Sequence, residues 1–308
     1  MLRPKPKVAF VGTGGAARGL AHLGVLKACE ELGIQPQIFV GASAGAIVGA
    51  TYGQGVPLDV LLDGYRLPWK RRHAGLRVHM STFFGAPRAR DLLDPGYLLS
   101  GVFSIDKLER YLREELPVND FRKVDNRVIV TAVDLDRAAR VVFGRGYDVE
   151  TPISAAVAAS CCVPGLFRPY LLNGRYHLDG EIAYTLSADL AVEAGADVVI
   201  ISSVYRPADT SAMRRSIARR GLLKVLNQTI NIVLTEKEKR GIDLYARVHP
   251  QTAFIDVAPD IGMFGYLNRF RARSLVMRGY RAGLRALAEA KERGLFDLPR
   301  VRHDEPLN

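Results

Sequence analysis

The pentapeptide Gly41-Ala42-Ser43-Ala44-Gly45 follows an apolar strand at Gln37 to Val40 and opens a helix of small residues. A strand that turns abruptly into a helix lifts a serine hydroxyl out of the fold. Glycine two positions away on either side removes the side chains that would collide in so sharp a turn. Ser43 is thus a candidate nucleophile, with Gly41 and Gly45 as its supports. In a chain with 29 glycines among 308 residues, a bare G-x-S-x-G arises by chance in roughly one case in ten. The weight falls on its neighbours.

Acyl transfer to serine needs a proton acceptor and donors aimed at the oxyanion that develops. The loop Gly12-Thr13-Gly14-Gly15-Ala16-Ala17 lies between a strand and a helix and offers closely spaced backbone N–H groups. Read alone, this loop also suits a phosphate. Gly12-x-Gly14-x-x-Ala17 is a loose match to the dinucleotide fingerprint, with alanine at the sixth position and the next glycine only at 19. No acidic residue ends a second strand about 20 positions on, where a ribose contact belongs. Asp179, closing a short strand and followed by Gly180, is the candidate base, although Asp-Gly is also a common turn dipeptide. A histidine base in the order Ser…Asp…His would be His249 or His303, one beside Pro250 in a polar turn and the other in a charged tail. His177, two positions before Asp179 and on the same strand face, is the reserve. His22, one turn into the first helix, suits packing or hydrogen bonding. The residues favour Asp179 acting directly on Ser43.

The elements that must position these groups read as strand–helix–strand–helix. Lys7 to Val11 is a buried strand, Arg18 to Leu32 an amphipathic helix stopped by Gly33, Gln37 to Val40 a strand, and the small-residue helix runs to about Gln54. That alternation predicts an α/β fold with a mostly parallel sheet covered by helices. Residues 67–101 are rich in Pro, Gly and Arg and read as a basic surface excursion. Ser104 caps a helix to Leu116; Arg127 to Leu135 and Ala139 to Phe143 form a hairpin. Thr151-Pro152 starts a helix, and Gly174 to Leu178 and Asp197 to Val204 are strands. A helical C-terminal region over 206–295 holds helices at Met213 to Thr235 and Arg269 to Glu292 around a strand at Thr252 to Val257. No linker divides the chain, so one domain over 1–308 is expected.

Cys29, Cys161 and Cys162 lack metal-ligand spacing with the six histidines, and neither a metal nor a cofactor is expected. No apolar run reaches membrane-spanning length and the basic N-terminus has no signal-peptide core, so cytoplasmic residence is expected. The net charge of +11 is uneven: 64–90 holds seven basic residues and 261–288 six arginines, neither with an acid. Such patches attract anionic partners. Trp69-Lys70-Arg71-Arg72 sets an aromatic beside cations and suits peripheral contact with an anionic inner membrane surface. No nucleic-acid partner is expected.

Together these residues resemble the bacterial patatin-like phospholipases. The match is carried by Gly14-Gly15-Ala16-Ala17-Arg18-Gly19 with Leu20 to Leu26 behind it, by Gly41 to Gly45, and by Asp179-Gly180. A fourth block, Ala155 to Pro164 with Gly165-Leu166-Phe167, resembles the helix and proline turn that precede the family's aspartate. The resemblance implies a three-layer patatin-like fold and a serine–aspartate dyad cleaving fatty-acyl esters of phospholipids or lysophospholipids. Ser43 would be the nucleophile and Asp179 the base. The amides of Gly14, Gly15 and Ala16 would form an oxyanion hole, with Arg18 steadying the loop. Two departures stand out. The family usually has a third glycine where Ala16 stands, and often a further glycine after Asp-Gly, then Asn or Pro, where Glu181, Thr185 and Ser187 stand here. A nucleotide-binding protein and a non-catalytic member of the family are the alternatives.

Overall fold

The computed structural model describes residues 5–63, 84–86, 93–183, 186–207, 211, 216–261 and 272–297. In chain order the first half runs β1 (Val8–Gly12), α1 (Leu20–Glu31), β2 (Ile38–Gly41), α2 (Ala44–Tyr52), α3 (Leu58–Asp63), α4 (Pro95–Leu99), β3 (Gly101–Phe103) and α5 (Asp106–Glu115). It continues with β4 (Arg127–Asp134), β5 (Ala139–Gly144), α6 (Ile153–Ser160), β6 (Gly165–Phe167), β7 (Tyr170–Leu172) and β8 (Arg175–Asp179). The remainder is α7 (Ala188–Glu193), β9 (Val198–Ser202), α8 (Leu222–Val248), β10 (Ala253–Val257) and α9 (Ala272–Glu292).

β1 and β9 are apolar or small at nearly every position and buried throughout, which is how strands covered on both faces read. They lie in a parallel run ordered β10-β9-β1-β2-β4, continued by antiparallel β8 and β7, with β5 antiparallel to β4. Alternate strand residues feed two cores. Phe10, Phe39, Val128, Val130 and Ile200 join the larger core with α1, α2, α5, α6 and α9. Ala9, Val11, Val40, Ile129 and Ile201 join the other, with α7 and with Ile242 and Tyr245 of α8. The chain is therefore a three-layer α/β fold, helices on both faces of one sheet.

The register around β4 decides where the site falls. Its first half pairs with β2 (Val130 opposite Gly41) while its second half pairs with β8 (Ala132 opposite Asp179). β5 pairs along both halves, from Ile129 to Asp134. β2 and β8 must then share the other edge of β4, end to end, their termini two β4 residues apart, or about 7 Å.

One expectation needs correction. The helix expected over Met213 to Thr235 starts at Leu222, after Gly221 at φ 88°, and runs on to Val248. The charged stretch from Glu236 continues it, because Glu236 pairs with Arg240 at 3.1 Å one turn on and Ile242 and Tyr245 reach the second core. β6 and β7 have only three residues each and carry no local pattern. Most of the basic excursion, 67–83 and 87–92, lies outside the described residues, as does Trp69-Lys70-Arg71-Arg72.

α9 packs on α1 through glycines. A Cβ on Gly279 would lie 2.0 Å from the Ala21 carbonyl oxygen, and one on Gly24 2.0 Å from that of Val276. Gly279→Val is expected to force the helices apart and lower stability by about 3 kcal/mol, read as a drop in denaturant midpoint with the slope unchanged.

Candidate active site

Ser43 sits between β2 and α2 at φ 51° and ψ −117°. A side-chain-bearing residue holds so sparsely populated a conformation only where its surroundings over-determine it. The glycines supply that constraint. A Cβ on Gly41 would fall 2.3 Å from the Gly45 carbonyl carbon, and one on Gly45 2.0 Å from the Gly12 carbonyl oxygen. The turn can be this tight only because neither side chain exists. Beyond it, the Ser43 backbone N–H donates to Ser160 Oγ at 2.8 Å. Sequence reasoning missed Ser160. Its block was singled out, but nothing local shows that the last residue of α6 meets a turn 117 positions earlier.

Asp179 ends β8 against the same place. Its N–H donates to the Cys162 carbonyl at 3.0 Å, and its carboxylate accepts the Glu181 N–H at 3.0 Å. Burial raises its pKa from 3.8 to about 6, against the lowering effect of that bond and of the neighbouring Ser43 hydroxyl. The Cys161 thiol lies beside Ser43 and Asp179, and burial pushes its pKa well above the usual thiol value. The fourth sequence block thus packs on the carboxylate and helps to bury it. Gly180 crosses β4 so closely that a Cβ would lie 2.3 Å from the Thr131 carbonyl oxygen.

The glycine loop completes the cluster. Thr13 N–H donates to the Ser202 carbonyl at 3.2 Å, and Val204 N–H to Thr13 Oγ1 at 3.1 Å. Gly15 (φ 136°) and Ala16 (φ 49°) turn the chain into a short 3₁₀ segment at Ala16–Gly19. Ala16 therefore adopts the left-handed conformation a glycine would take, at a strain of about 1 kcal/mol, and the turn survives that departure. His22 braces the loop from below: one ring nitrogen meets the Thr13 carbonyl at 2.8 Å and the other Ser202 Oγ at 2.7 Å. A carbonyl only accepts, so Nε2 carries the proton and Nδ1 accepts the hydroxyl. Burial lowers the His22 pKa to about 4, which keeps that ring neutral. Arg18 is buried and donates to Asn231 Oδ1 at 2.8 Å, tying the loop to α8.

Gly14 sits against the serine: a Cβ there would lie 3.1 Å from Ser43 Cβ and 2.5 Å from the Tyr205 hydroxyl. Its N–H, however, donates to Glu181 Oε1 at 2.8 Å. Glu181 is buried, and burial followed by the neighbouring Asp179 charge pushes its pKa well above the usual glutamate value. Glu181 was noted in the sequence only as a departure; its reach to Gly14 spans 167 positions and has no local signal.

The structure therefore gathers Ser43, Asp179 and Gly14 at one point. Gly15, Ala16, Gly41, Gly45 and Gly180 lie in the turns around it, and Arg18 lies behind the loop. His177 is not brought to Ser43: its Nδ1 meets the Arg175 carbonyl at 3.1 Å and its ring lies beside Phe143. His249 caps the far end of α8, and His303 lies outside the described residues. Among the described residues, no group of three or more His, Cys, Asp or Glu side chains is placed to hold a metal ion.

With the fold and this cluster in place, comparison with known proteins gives a consistent answer. Residues 11–192 match the family model described as patatin-like phospholipase, and the chain belongs to that family. An uncharacterised NTE family protein of Mycobacterium tuberculosis (strain ATCC 25618 / H37Rv) is 28% identical over 199 residues, covering 65% of this chain and 49% of that protein. Lysophospholipase nte1 of Aspergillus fumigatus is 24% identical over 304 residues, covering 95% of this chain but 19% of that protein. The chain thus spans half or less of the length of these relatives. The crystal structure of VipD from Legionella pneumophila aligns with a TM-score of 0.46 at 14% identity, over 93% of this chain and 67% of that one.

The raised Asp179 pKa has a cost in stability. A carboxyl that holds its proton more tightly when folded favours the folded state at low pH, and that contribution is lost as pH rises from 3.8 through about 6. At about 1.4 kcal/mol per pH unit the loss is about 3 kcal/mol. Asp179→Asn keeps an acceptor for the Glu181 N–H and removes the buried charge. It is expected to be more stable than the wild type by up to that amount at pH 8 and to match it near pH 4, as read from denaturant midpoints.

Proposed function

We propose that the chain is a lipid acyl hydrolase in which Ser43 attacks a fatty-acyl ester and Asp179 is the sole general base. The observation that carries this reading is a buried carboxylate at the end of β8, set beside the Ser43 hydroxyl and raised by burial to a pKa of about 6. Such a carboxylate is basic enough to take a hydroxyl proton and still ionised at neutral pH.

In the first step Ser43 Oγ bonds to the carbonyl carbon and its proton passes to Asp179. The carbonyl oxygen gains the charge and is held by loop amides, with Gly14 N–H the best placed. Collapse of this intermediate expels the alcohol, which takes the proton from Asp179. Water then attacks the acyl-serine with Asp179 again accepting the proton, which passes to Ser43 Oγ as its bond to the acyl carbon breaks and the free acid leaves. Tyr205 and Cys161 border the same point, so little bulk water enters it. A phosphate in the glycine loop is less well supported, since its oxyanions would lie against the carboxyls of Asp179 and Glu181.

The substrate class follows from the family and from a relative named as a lysophospholipase: we assign phospholipids or lysophospholipids. Among the described residues no helix is long and apolar enough to cross a membrane. The basic stretch 64–90 supports peripheral binding at an anionic lipid surface.

Ser43→Ala and Asp179→Asn are each expected to lower hydrolysis of nitrophenyl dodecanoate by at least about 10³-fold with the circular dichroism spectrum retained. In the wild type, kcat/KM should rise with pH through about 6 and then level off, because only the ionised carboxylate accepts the proton. A profile that falls over this range, or full activity in the aspartate variant, rejects the assignment. Separately, replacing Lys70, Arg71 and Arg72 by glutamine is expected to weaken sedimentation with phosphatidylglycerol vesicles and leave that with phosphatidylcholine vesicles unchanged.

A further inference from the structure

We propose that Glu181 is a gate: its carboxyl occupies the seat of the substrate's carbonyl oxygen, and an ester reaches Ser43 only by displacing it. The gate rests on the acyl-hydrolase reading above and adds to it a residue that controls access to the serine.

Three observations place the carboxyl in that seat. Glu181 Oε1 accepts the Gly14 N–H at 2.8 Å. A Cβ on Gly14 would lie 2.9 Å from Glu181 Cγ and 3.1 Å from Ser43 Cβ, so carboxyl, amide and nucleophile converge on one point. Ser43, Asp179 and Glu181 are only 4%, 6% and 4% exposed, so the carboxyl is packed inside the cluster and not turned out to solvent. One N–H aimed at one point cannot hold a carboxyl oxygen and an ester oxygen at once. The burial that raises the Glu181 pKa favours the uncharged acid, whose C=O presents the loop with nearly the same group as an ester carbonyl.

The residue is built to swing without disturbing the base. Its main chain is pinned: Asp179 accepts the Glu181 N–H at 3.0 Å, and Lys237 Nζ on α8 donates to the Ile182 carbonyl at 3.1 Å. The side chain reaches Gly14 through three rotatable bonds, so it can leave while the Asp179 contact stays. A glycine here would keep the same N–H and bring nothing to the loop.

Displacement costs every ester the same free energy, so the gate lowers kcat/KM for short and long esters alike. A long acyl chain, which gains binding energy from each methylene it buries, can still saturate the closed enzyme; a short one cannot. At saturating substrate the gate is therefore felt by small esters and not by long-chain ones.

The test compares nitrophenyl acetate with nitrophenyl dodecanoate in the wild type and in Glu181→Ala, Glu181→Asp and Glu181→Gln. Alanine removes the carboxyl and aspartate withdraws it by one methylene, so one informative variant remains if the other fails to fold. Both are expected to raise kcat/KM on both esters by about tenfold or more, while kcat at saturating dodecanoate changes less than about threefold. Glutamine, whose amide oxygen still accepts the Gly14 N–H, is expected to keep the wild-type kcat/KM on both esters. Hydrogen exchange at the Gly14 amide should accelerate in the alanine and aspartate variants only. Labelling of Ser43 by a fluorophosphonate separates the two readings. Labelling at equal rates in all four chains, with kcat/KM unchanged on both esters, overturns the gate and leaves the hydrolase standing. Absence of label on Ser43 in every chain overturns both.

Discussion

The site depends on one constraint, the end-to-end sharing of a single edge of β4 by two strands running in opposite directions. β2 stops opposite Val130 and β8 arrives from the other side to stop opposite Ala132. Each strand must leave the sheet where it meets the other, so both chains turn at the same spot. One turn carries Ser43 and the other Asp179. Hydrogen bonds across Thr131 are not needed to bring the two together; the ladder of β4 measures the distance. The flanking contacts, Ser160 Oγ on the Ser43 amide and the Cys162 carbonyl on the Asp179 amide, then fix the orientation of each turn from α6 and the residues that follow it. A slip of β8 by one residue would face the carboxylate away from the serine.

Holding this arrangement costs stability in several places. Ser43 and Ala16 both sit at positive φ, where a side chain is strained. Three carboxyls, Asp179, Glu181 and Glu238, are buried within one region, and burial raises the pKa of each. Each has a polar contact that limits the cost: Asp179 binds the Glu181 amide, Glu181 the Gly14 amide, and Glu238 both the Ser203 hydroxyl at 2.5 Å and Arg206 at 3.5 Å. The nearly continuous apolar packing of β1, β9, α1 and α9 supplies the rest. A strained, partly charged cluster carried by an over-determined scaffold is the usual signature of a site rather than a defect.

Much of this was legible in the residues. The apolar runs of β1, β2 and β9 announce strands buried on both faces, and the small residues of Gly41 to Gly45 announce a turn with no space for side chains. The β4–β5 hairpin and α9 also follow from local pattern, with α9 showing Leu287 buried and Arg281 and Arg285 on the opposite side. What was not legible is long-range register. Nothing in Gly174 to Asp179 says that this strand lies end-on to β2 rather than beside it. Ser160 reads as one more small residue in a buried helix until its partner is known. α8 misleads for a related reason. The residues it buries include Asn231, Thr235 and Glu238, which serve the polar cluster beneath, so its inward face does not look apolar. A helix of that kind gives periodicity no contrast to detect.

Glu181 shows how backbone and side chain can act separately at one position. Its N–H steadies the Asp179 carboxylate at 3.0 Å, a contact any residue other than proline makes. Its carboxyl reaches the loop amide at 2.8 Å, a contact only a long acceptor makes. The position of that carboxylate is therefore indifferent to what stands at 181, while access to the loop amide is controlled by it. A glycine there leaves Asp179 oriented and the amide open; a glutamate leaves Asp179 oriented and the amide filled. Access can change at such a position without moving the carboxylate, because the atoms that hold the aspartate belong to the main chain.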